Sequence, residues 1–315
     1  MATKRPGIGG QAIIEGVFMR APGSAAAAVR KPDGTIVVKD MSSLAPAERT
    51  GILSKPVLRG AVNLIETLRM GFAALNWSAS RAEETTGENS SGGFGIFLSN
   101  AVAIVTAVVL FAWLPLRLGQ WLAGGLASGG MEQFLIHMIA GAFRIFAFIL
   151  YLAGISFIPD IRRVFMYHGA EHQVIHAWEN GSDDLAADAA GNSPVHARCG
   201  TSFLMYVMLV TILCYTVIDS TVYLVTGVSP AAHWRILYHL PLIPLVMGIS
   251  YEVLKSADKH LETSAFARFL SKPGMWLQKL TTSRADSDML EVAGIAAMAA
   301  LGQDLPETVE LEAAE

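Results

Sequence analysis

Long runs of apolar residues, separated by polar segments, dominate the pattern of this chain. A membrane-spanning helix needs about 20 mostly apolar residues, because a helix rises about 1.5 Å per residue through about 30 Å of hydrocarbon. Four windows reach that length, at roughly Ile96–Leu116, Phe134–Ile158, Phe203–Val225 and Ile236–Leu254. The pattern therefore predicts an all-α integral membrane protein with about four transmembrane helices.

A fifth apolar stretch, Ala61–Ala79, differs from the spans because it carries Glu66 and Arg69. Residues three apart lie on the same face of a helix. One charged face and one apolar face are typical of a helix that lies in the membrane interface. We expect an interfacial or re-entrant helix here, followed by a polar linker.

Local signals predict structure outside the membrane. The turn signal Pro32-Asp33-Gly34 lies within Ala25–Lys39 and predicts a small β-hairpin. A C-terminal helix is expected at roughly Asp288–Leu301, capped by Asp286 or Ser287. The predicted organisation is an N-terminal glycine-rich and β-hairpin segment (1–60), an interfacial helix and linker (61–94), a membrane bundle with a cytoplasmic loop and the C-terminal helix (95–302, loop 159–201), and an acidic tail that frays (303–315).

The amino-acid composition also indicates a membrane protein and argues against nucleic acid as a partner. The chain has 315 residues, of which 52% are hydrophobic and 16% charged, with a mean hydropathy of +0.43. A net charge of −4 gives no reason to expect nucleic acid as a partner, since binding it needs a basic patch. The first span is preceded by eleven Lys and Arg residues, whereas only Arg117 lies between the first two spans. This asymmetry predicts a multi-pass protein with both termini in the cytoplasm.

The segment His168-Gly169-Ala170-Glu171-His172 has the H-x-x-E-H pattern of inverted zinc peptidases. On a helix His168 and His172 lie one turn apart on the same face, where both imidazoles can bind one metal ion. Glu171 shares that side and could accept a proton from a metal-activated water. The pattern predicts Glu171 as the catalytic base of a zinc site.

A third ligand must come from elsewhere in the chain. His196 and Cys199 are three residues apart, a spacing compatible with one metal ion. Glu252 is another candidate, because ionisable groups in apolar segments often serve function. His176 is expected to lie near the site without joining it, since residues i, i+4 and i+8 of a straight helix cannot all reach one ion. The sequence leaves the choice among His196, Cys199 and Glu252 open.

Six blocks of the chain also carry a family resemblance: Gly9–Arg20, Pro56–Gly60, Tyr167–His172, His196–Phe203, Gly248–Glu252 and Pro273–Thr282. In their order they resemble the YqhQ-like bacterial membrane family, from about residue 7 to about residue 300. One departure is Ala197, where the family has proline. The resemblance implies a predicted metal-dependent enzyme of the bacterial inner membrane and supplies no established substrate.

Three functions fit these observations. The first is a membrane-bound, zinc-dependent hydrolase of peptidase type that acts on a protein or peptide at the cytoplasmic membrane face. The second is an adaptor or assembly factor with a closed, structural metal site, which would have four protein ligands. The third is a small transporter, disfavoured by the scarcity of charges in the spans. Membrane lipid is the expected surrounding in each case, and an oligomer is compatible with all of them.

Overall fold

The computed structural model describes most of the chain, in these ranges: 5–44, 51–83, 93–126, 128–197, 199–228, 232–261 and 263–312. Within this part the fold is mostly helical, with one small β-sheet at the N-terminal end of the chain. The helices are α1 (Leu58–Glu83), α2 (Gly93–Val108), α3 (Leu114–Ala123), α4 (Gly129–Ile155), α5 (Pro159–Glu179), α6 (Gly200–Thr226), α7 (Ala232–His239), α8 (Ile243–Lys259), α9 (Ala265–Thr281) and α10 (Ser287–Ala300).

In the part of the chain that the structure describes, four helical stretches are long and apolar enough to cross a membrane, as the hydrophobic pattern predicts. They are Ala101–Ala123, Gly129–Ile155, Ser202–Thr226 and Leu237–Lys259. The first passes from α2 through a π-helical turn, Val109–Trp113, into α3. The last passes from α7 into α8 through a short 3₁₀ turn, where prolines interrupt the regular hydrogen bonding. The helices are confirmed, and their insertion in a membrane stays a prediction.

The predicted interfacial helix is longer than expected, because α1 extends from Leu58 to Glu83. Large apolar side chains are exposed along it, among them Ile65, Leu68 and Phe72. The spacing of three and then four residues places them on one stripe of the helix. Such a stripe suits the apolar side of a membrane interface.

The β-structure is larger than the small hairpin that the sequence predicts. Five strands form one sheet in chain order, namely β1 (Gly9–Ile13), β2 (Gly16–Ala21), β3 (Ser24–Arg30), β4 (Ile36–Asp40) and β5 (Val309–Glu312). The first four are antiparallel, and the predicted hairpin is β3 with β4. The mostly helical fold is confirmed, and the predicted hairpin is part of a larger sheet whose fifth strand comes from the C-terminal end of the chain.

The strand β5 contradicts the expectation that the acidic tail frays. It pairs in parallel with β4, so that Leu311 lies opposite Val38. Glu312 holds the pairing, because it accepts hydrogen bonds from Trp77 and Arg81 on α1 and from Lys39 on β4. Acidic residues that repel one another in isolation are therefore ordered by basic partners more than 200 residues away.

The sheet is buried on both faces, which explains the continuous small apolar run in β3. Successive side chains of a strand point to opposite faces. Ala26 and Ala28 pack in the cluster that includes α5 and α10, whereas Ala25, Ala27 and Val29 pack in the cluster that includes α1. The sheet therefore lies between α1 on one side and α5 with α10 on the other.

A polar network joins α4, α6 and α7 within the candidate spans. The sequence suggests Arg144 as a partner that neutralises Asp219. In the structure Asp219 Oδ2 lies 3.1 Å from His137 Nε2, Asp219 Oδ1 lies 3.0 Å from His239 Nε2, and Tyr238 donates to the same carboxylate. Arg144 Nε instead donates to the Phe111 carbonyl of the π-helical turn at 3.0 Å. Asp219 is thus flanked by two imidazoles and accepts a hydrogen bond from Tyr238.

Candidate metal centre

The candidate centre is built on α5, whose second half is buried between the sheet and two linkers. Pro159 lies in the first turn, where a missing backbone N–H is tolerated. Buried residues run almost without interruption from Tyr167 to Trp178. The polar side chains in this stretch must therefore find partners inside the protein.

Three predicted ligands come together: His168, His172 and Cys199. Their candidate ligand atoms all lie within 4.8 Å of one another. His168 Nε2 lies 3.1 Å from Cys199 Sγ. His172 is 1% exposed and Cys199 is 7% exposed, whereas His168 is only partly buried. The cluster is thus closed on the His172 side and more open on the His168 side.

Backbone carbonyls fix the orientation of both imidazoles. His168 Nδ1 donates to the Thr281 carbonyl at 2.8 Å, and His172 Nδ1 donates to the Pro194 carbonyl at 2.7 Å. A carbonyl can only accept, so each Nδ1 carries a proton, which leaves Nε2 as the nitrogen that can bind a metal ion. Burial, together with the neighbouring His168, lowers the pKa of His172 and keeps it neutral. This arrangement is typical of metal-binding histidines.

Glu171 lies beside this cluster and is 4% exposed. Its Oε1 accepts a hydrogen bond from the backbone N–H of Gly10 in β1 at 3.0 Å. Its Oε2 is buried and has no hydrogen-bond partner among the residues that the structure describes. Burial raises the pKa of Glu171 to about 8, while the nearby His168 lowers it and the nearby Cys199 raises it.

These residues fit a divalent transition metal in two respects. Two imidazole nitrogens and one thiolate sulfur form a donor set that suits zinc. A cation at the cluster would also favour the ionised form of the buried Glu171 carboxylate. Cysteine binds a metal ion as the thiolate, so binding at Cys199 from the thiol form would release a proton.

Glutamine side chains fix the two chain segments that complete the centre. Gln278 on α9 accepts from His196 N at 2.9 Å and donates to His196 O at 2.8 Å. Gln173 on α5 donates to Ala189 O and accepts from Ala285 N. The loop that carries Cys199 and the linker that follows Thr281 are both held in place by these hydrogen bonds.

The structure places Glu252 away from the first cluster, whereas His196 lies beside His172, with ring centroids 5.9 Å apart, but groups with other ligands. His196 Nε2 lies 3.2 Å from Glu179 Oε2, and both group with His176. Glu252 accepts from Arg59 Nε at 2.7 Å and from Arg59 Nη2 at 2.6 Å, so it links α8 to α1. The sequence analysis does not identify Glu179 as a candidate ligand. Its position three residues after His176 places both side chains on the same face of a helix and could have indicated it.

Comparison with known proteins identifies relatives but no reaction. Residues 55–303 match the family described as "Protein of unknown function (DUF1385)". The chain is 32% identical over 301 residues to "Uncharacterized protein YqhQ" of Bacillus subtilis (strain 168), an alignment that covers 91% of this chain and 90% of that protein. No solved structure matches the chain.

Proposed function

Since the chain belongs to the DUF1385 family, whose description names no activity, we propose a function from its own residues: a membrane-bound, metal-dependent hydrolase. His168, His172 and Cys199 hold the metal, zinc by the chemistry of the donors. Glu171 is the general base. The substrate class is a peptide or protein amide that reaches the centre from the more open His168 side.

The observation that carries this proposal is the buried Glu171 Oε2, which no described residue engages. A buried carboxylate oxygen without a partner costs free energy, so its retention beside three ligands calls for a reason. A role of Glu171 Oε2 in accepting a proton from water would explain why the protein keeps this oxygen without a partner. A structural zinc site, by contrast, usually has four protein ligands, and the described cluster supplies three.

Each of these protein groups has a separate role in the proposed amide hydrolysis. Nε2 of both histidines and Sγ of Cys199 hold the metal, which supplies Lewis-acid activation when bound. Glu171 accepts a proton from water as the water oxygen bonds to the substrate carbonyl carbon. Glu171 then gives that proton to the leaving amine as the carbon–nitrogen bond breaks. Gly10 N–H holds the other carboxylate oxygen and so orients Oε2 throughout.

The proposal includes a location, the cytoplasmic face of a bacterial inner membrane with both termini on that side. The Lys and Arg asymmetry supports it. Two contacts support it as well, because β1 touches α5 through Gly10 and Glu171, and β5 pairs with β4. The N-terminal sheet, α5 and residues 309–312 must then share one side, which four spans allow. Thiols stay reduced in the cytoplasm, as a Cys199 ligand requires.

The test is Glu171→Gln in the full-length protein, compared with Glu291→Gln, whose exposed carboxylate pairs with Arg30. We expect both variants to fold and to contain as much zinc as the parent protein, measured by elemental analysis after purification. Glu171→Gln alone should fail to restore the phenotype of a deletion strain, because loss of a general base typically costs about 10²–10⁴-fold in rate.

Two outcomes would overturn the proposal. Full complementation by zinc-loaded Glu171→Gln would exclude a general base at this position. Absence of any transition metal from the parent protein, purified from its native membrane, would exclude the metal centre itself. Loss of zinc from Glu171→Gln, with complementation by the protein that remains, would favour the structural site instead.

A further inference from the structure

A second group of potential ligands lies next to the first and is used by none of the chemistry above. It consists of His176, Glu179 and His196, whose candidate ligand atoms all lie within 4.8 Å of one another. His196 Nε2 lies 3.2 Å from Glu179 Oε2. The ring centroids of His176 and His196 are 4.7 Å apart. Three donors of metal-binding type thus converge from two separate segments.

The second group repeats the construction of the first. Each takes two residues from α5, His168 with His172 and then His176 with Glu179, and each takes one residue from the segment before α6. The repeat arises because that segment runs alongside α5 and presents Cys199 and His196 at successive levels.

The backbone contacts repeat as well. His172 Nδ1 donates to Pro194 O, and His176 Nε2 donates to the next carbonyl, Val195 O, at 3.0 Å. A carbonyl acceptor requires a proton on His176 Nε2 and leaves Nδ1 as the nitrogen that can bind a metal ion. His176 therefore has the orienting contact to the backbone that ligating histidines usually have.

We propose that His176, Glu179 and His196 form a second divalent-metal site, distinct from the His168–His172–Cys199 cluster and more accessible to solvent. Two imidazoles and a carboxylate are a ligand set found in zinc proteins. Glu179 is exposed, whereas His196 is buried. The ion therefore enters from the Glu179 side. Asp258 on α8 adds a further negative charge that acts on His196.

The spacing of the two pairs along α5 gives no support for a joint two-metal reaction. The midpoints of the two α5 pairs are about 7.5 residues apart, or about 11 Å along the helix axis at about 1.5 Å per residue. Two-metal catalytic sites hold their ions about 3.5–4 Å apart. The second ion acts on the loop instead, since it ties His196 to α5 and so fixes the segment that ends at Cys199.

The donor sets predict different metal preferences. A thiolate ligand favours zinc, whereas imidazole with carboxylate also accepts harder ions. The second site should therefore exchange its ion more readily than the first, because it is more exposed and has no sulfur. Cobalt distinguishes the two sites directly, since only cobalt bound to Cys199 gives a thiolate charge-transfer band.

The experiment is a zinc titration of the full-length protein, purified in detergent and stripped with a chelator. Bound zinc is counted by elemental analysis after desalting, and affinity is measured by competition with a chromophoric chelator. We expect two equivalents in the parent protein and in Glu291→Gln, and one equivalent in Glu179→Gln. Cys199→Ala should also retain one equivalent, and its cobalt form should lack the thiolate band.

The outcomes separate this site from the first. If Glu179→Gln binds zinc with the stoichiometry and affinity of the parent protein, the second site is refuted. If the parent binds one equivalent that only Cys199→Ala removes, the second site is refuted while the first stands. If Cys199→Ala keeps one equivalent that an added Glu179→Gln removes, the second site stands whatever becomes of the proposed hydrolase.

Discussion

Gly169 is the position where a single added methyl group should disturb the centre most. It follows His168 on α5, and the linker between α9 and α10 crosses the helix at this point. Ser283 N donates to Phe165 O at 3.0 Å, which holds the linker against α5. A Cβ atom at residue 169 would lie 1.7 Å from Ser283 O and 2.9 Å from Ser283 C. Gly169→Ala must therefore displace the linker.

The size of the displacement follows from these distances. Ordinary contact begins at 3.4 Å, so Ser283 O has to retreat from 1.7 Å by about 1.7 Å. Thr281 O lies two residues earlier and accepts from His168 Nδ1 at 2.8 Å. A shift of even half that size would take this contact beyond hydrogen-bond range. Loss of such a partner typically weakens metal binding by about 10–100-fold.

Stability should fall at the same time. Overpacking in a well-packed region costs about 1–3 kcal/mol, and the better helix propensity of alanine offsets about 1 kcal/mol of that. We expect a lower thermal midpoint in detergent together with weaker zinc binding in the chelator competition. Gly154→Ala is the matched control, because a Cβ atom added at residue 154 would meet no atom within 4 Å, and it should leave both quantities unchanged or slightly raise the midpoint.

Two results would refute this reasoning. If Gly169→Ala matches Gly154→Ala in thermal midpoint and in zinc affinity, the close crossing of the linker over α5 is wrong. If the midpoint falls but the zinc affinity stays at the parent value, the Thr281 carbonyl does not orient a metal ligand.

Two further predictions concern carboxylates outside the cluster. Glu252→Gln should leave the zinc content unchanged, because Arg59 holds Glu252 away from the centre. It should lower the thermal midpoint only slightly, because the ion pair that it removes is partly exposed. Loss of zinc in elemental analysis would restore Glu252 as a ligand. Burial alone would raise the pKa of Glu312, but hydrogen bonds from Arg81, Trp77 and Lys39 lower it to about 2 from 4.5. A lowered folded-state pKa gives stability that is present above pH 4.5 and is lost as the pH falls towards 2. Amide hydrogen exchange of residues 309–312, corrected for intrinsic rates, should therefore speed up as the pH falls through that window, both in the parent protein and in the control Glu310→Gln. Glu312→Gln should exchange fast at every pH. If the amides of Glu312→Gln are as protected as those of the parent, Glu312 does not hold β5 in place.

The sequence determined the features that depend on neighbours within a few turns of chain. Runs of about 20 apolar residues sufficed for the four long helices, because helix geometry links length to residue number directly. The turn at Pro32-Asp33-Gly34 was enough to predict the hairpin of β3 and β4. The pattern of His168, Glu171 and His172 also predicted a shared helix face, since positions three and four apart meet on any α-helix.

Only the tertiary structure decided which distant segments meet. Gly10 approaches Glu171 across 161 residues of sequence, and β5 joins β4 from the other end of the chain. His196 pairs with Glu179 although its ring also lies beside that of His172, and Glu252 pairs with Arg59. Local patterns do not record such pairings, because a carboxylate or imidazole has the same propensities beside a metal, an arginine or a backbone carbonyl. The packing of the sheet between α1 and α5 selects among them.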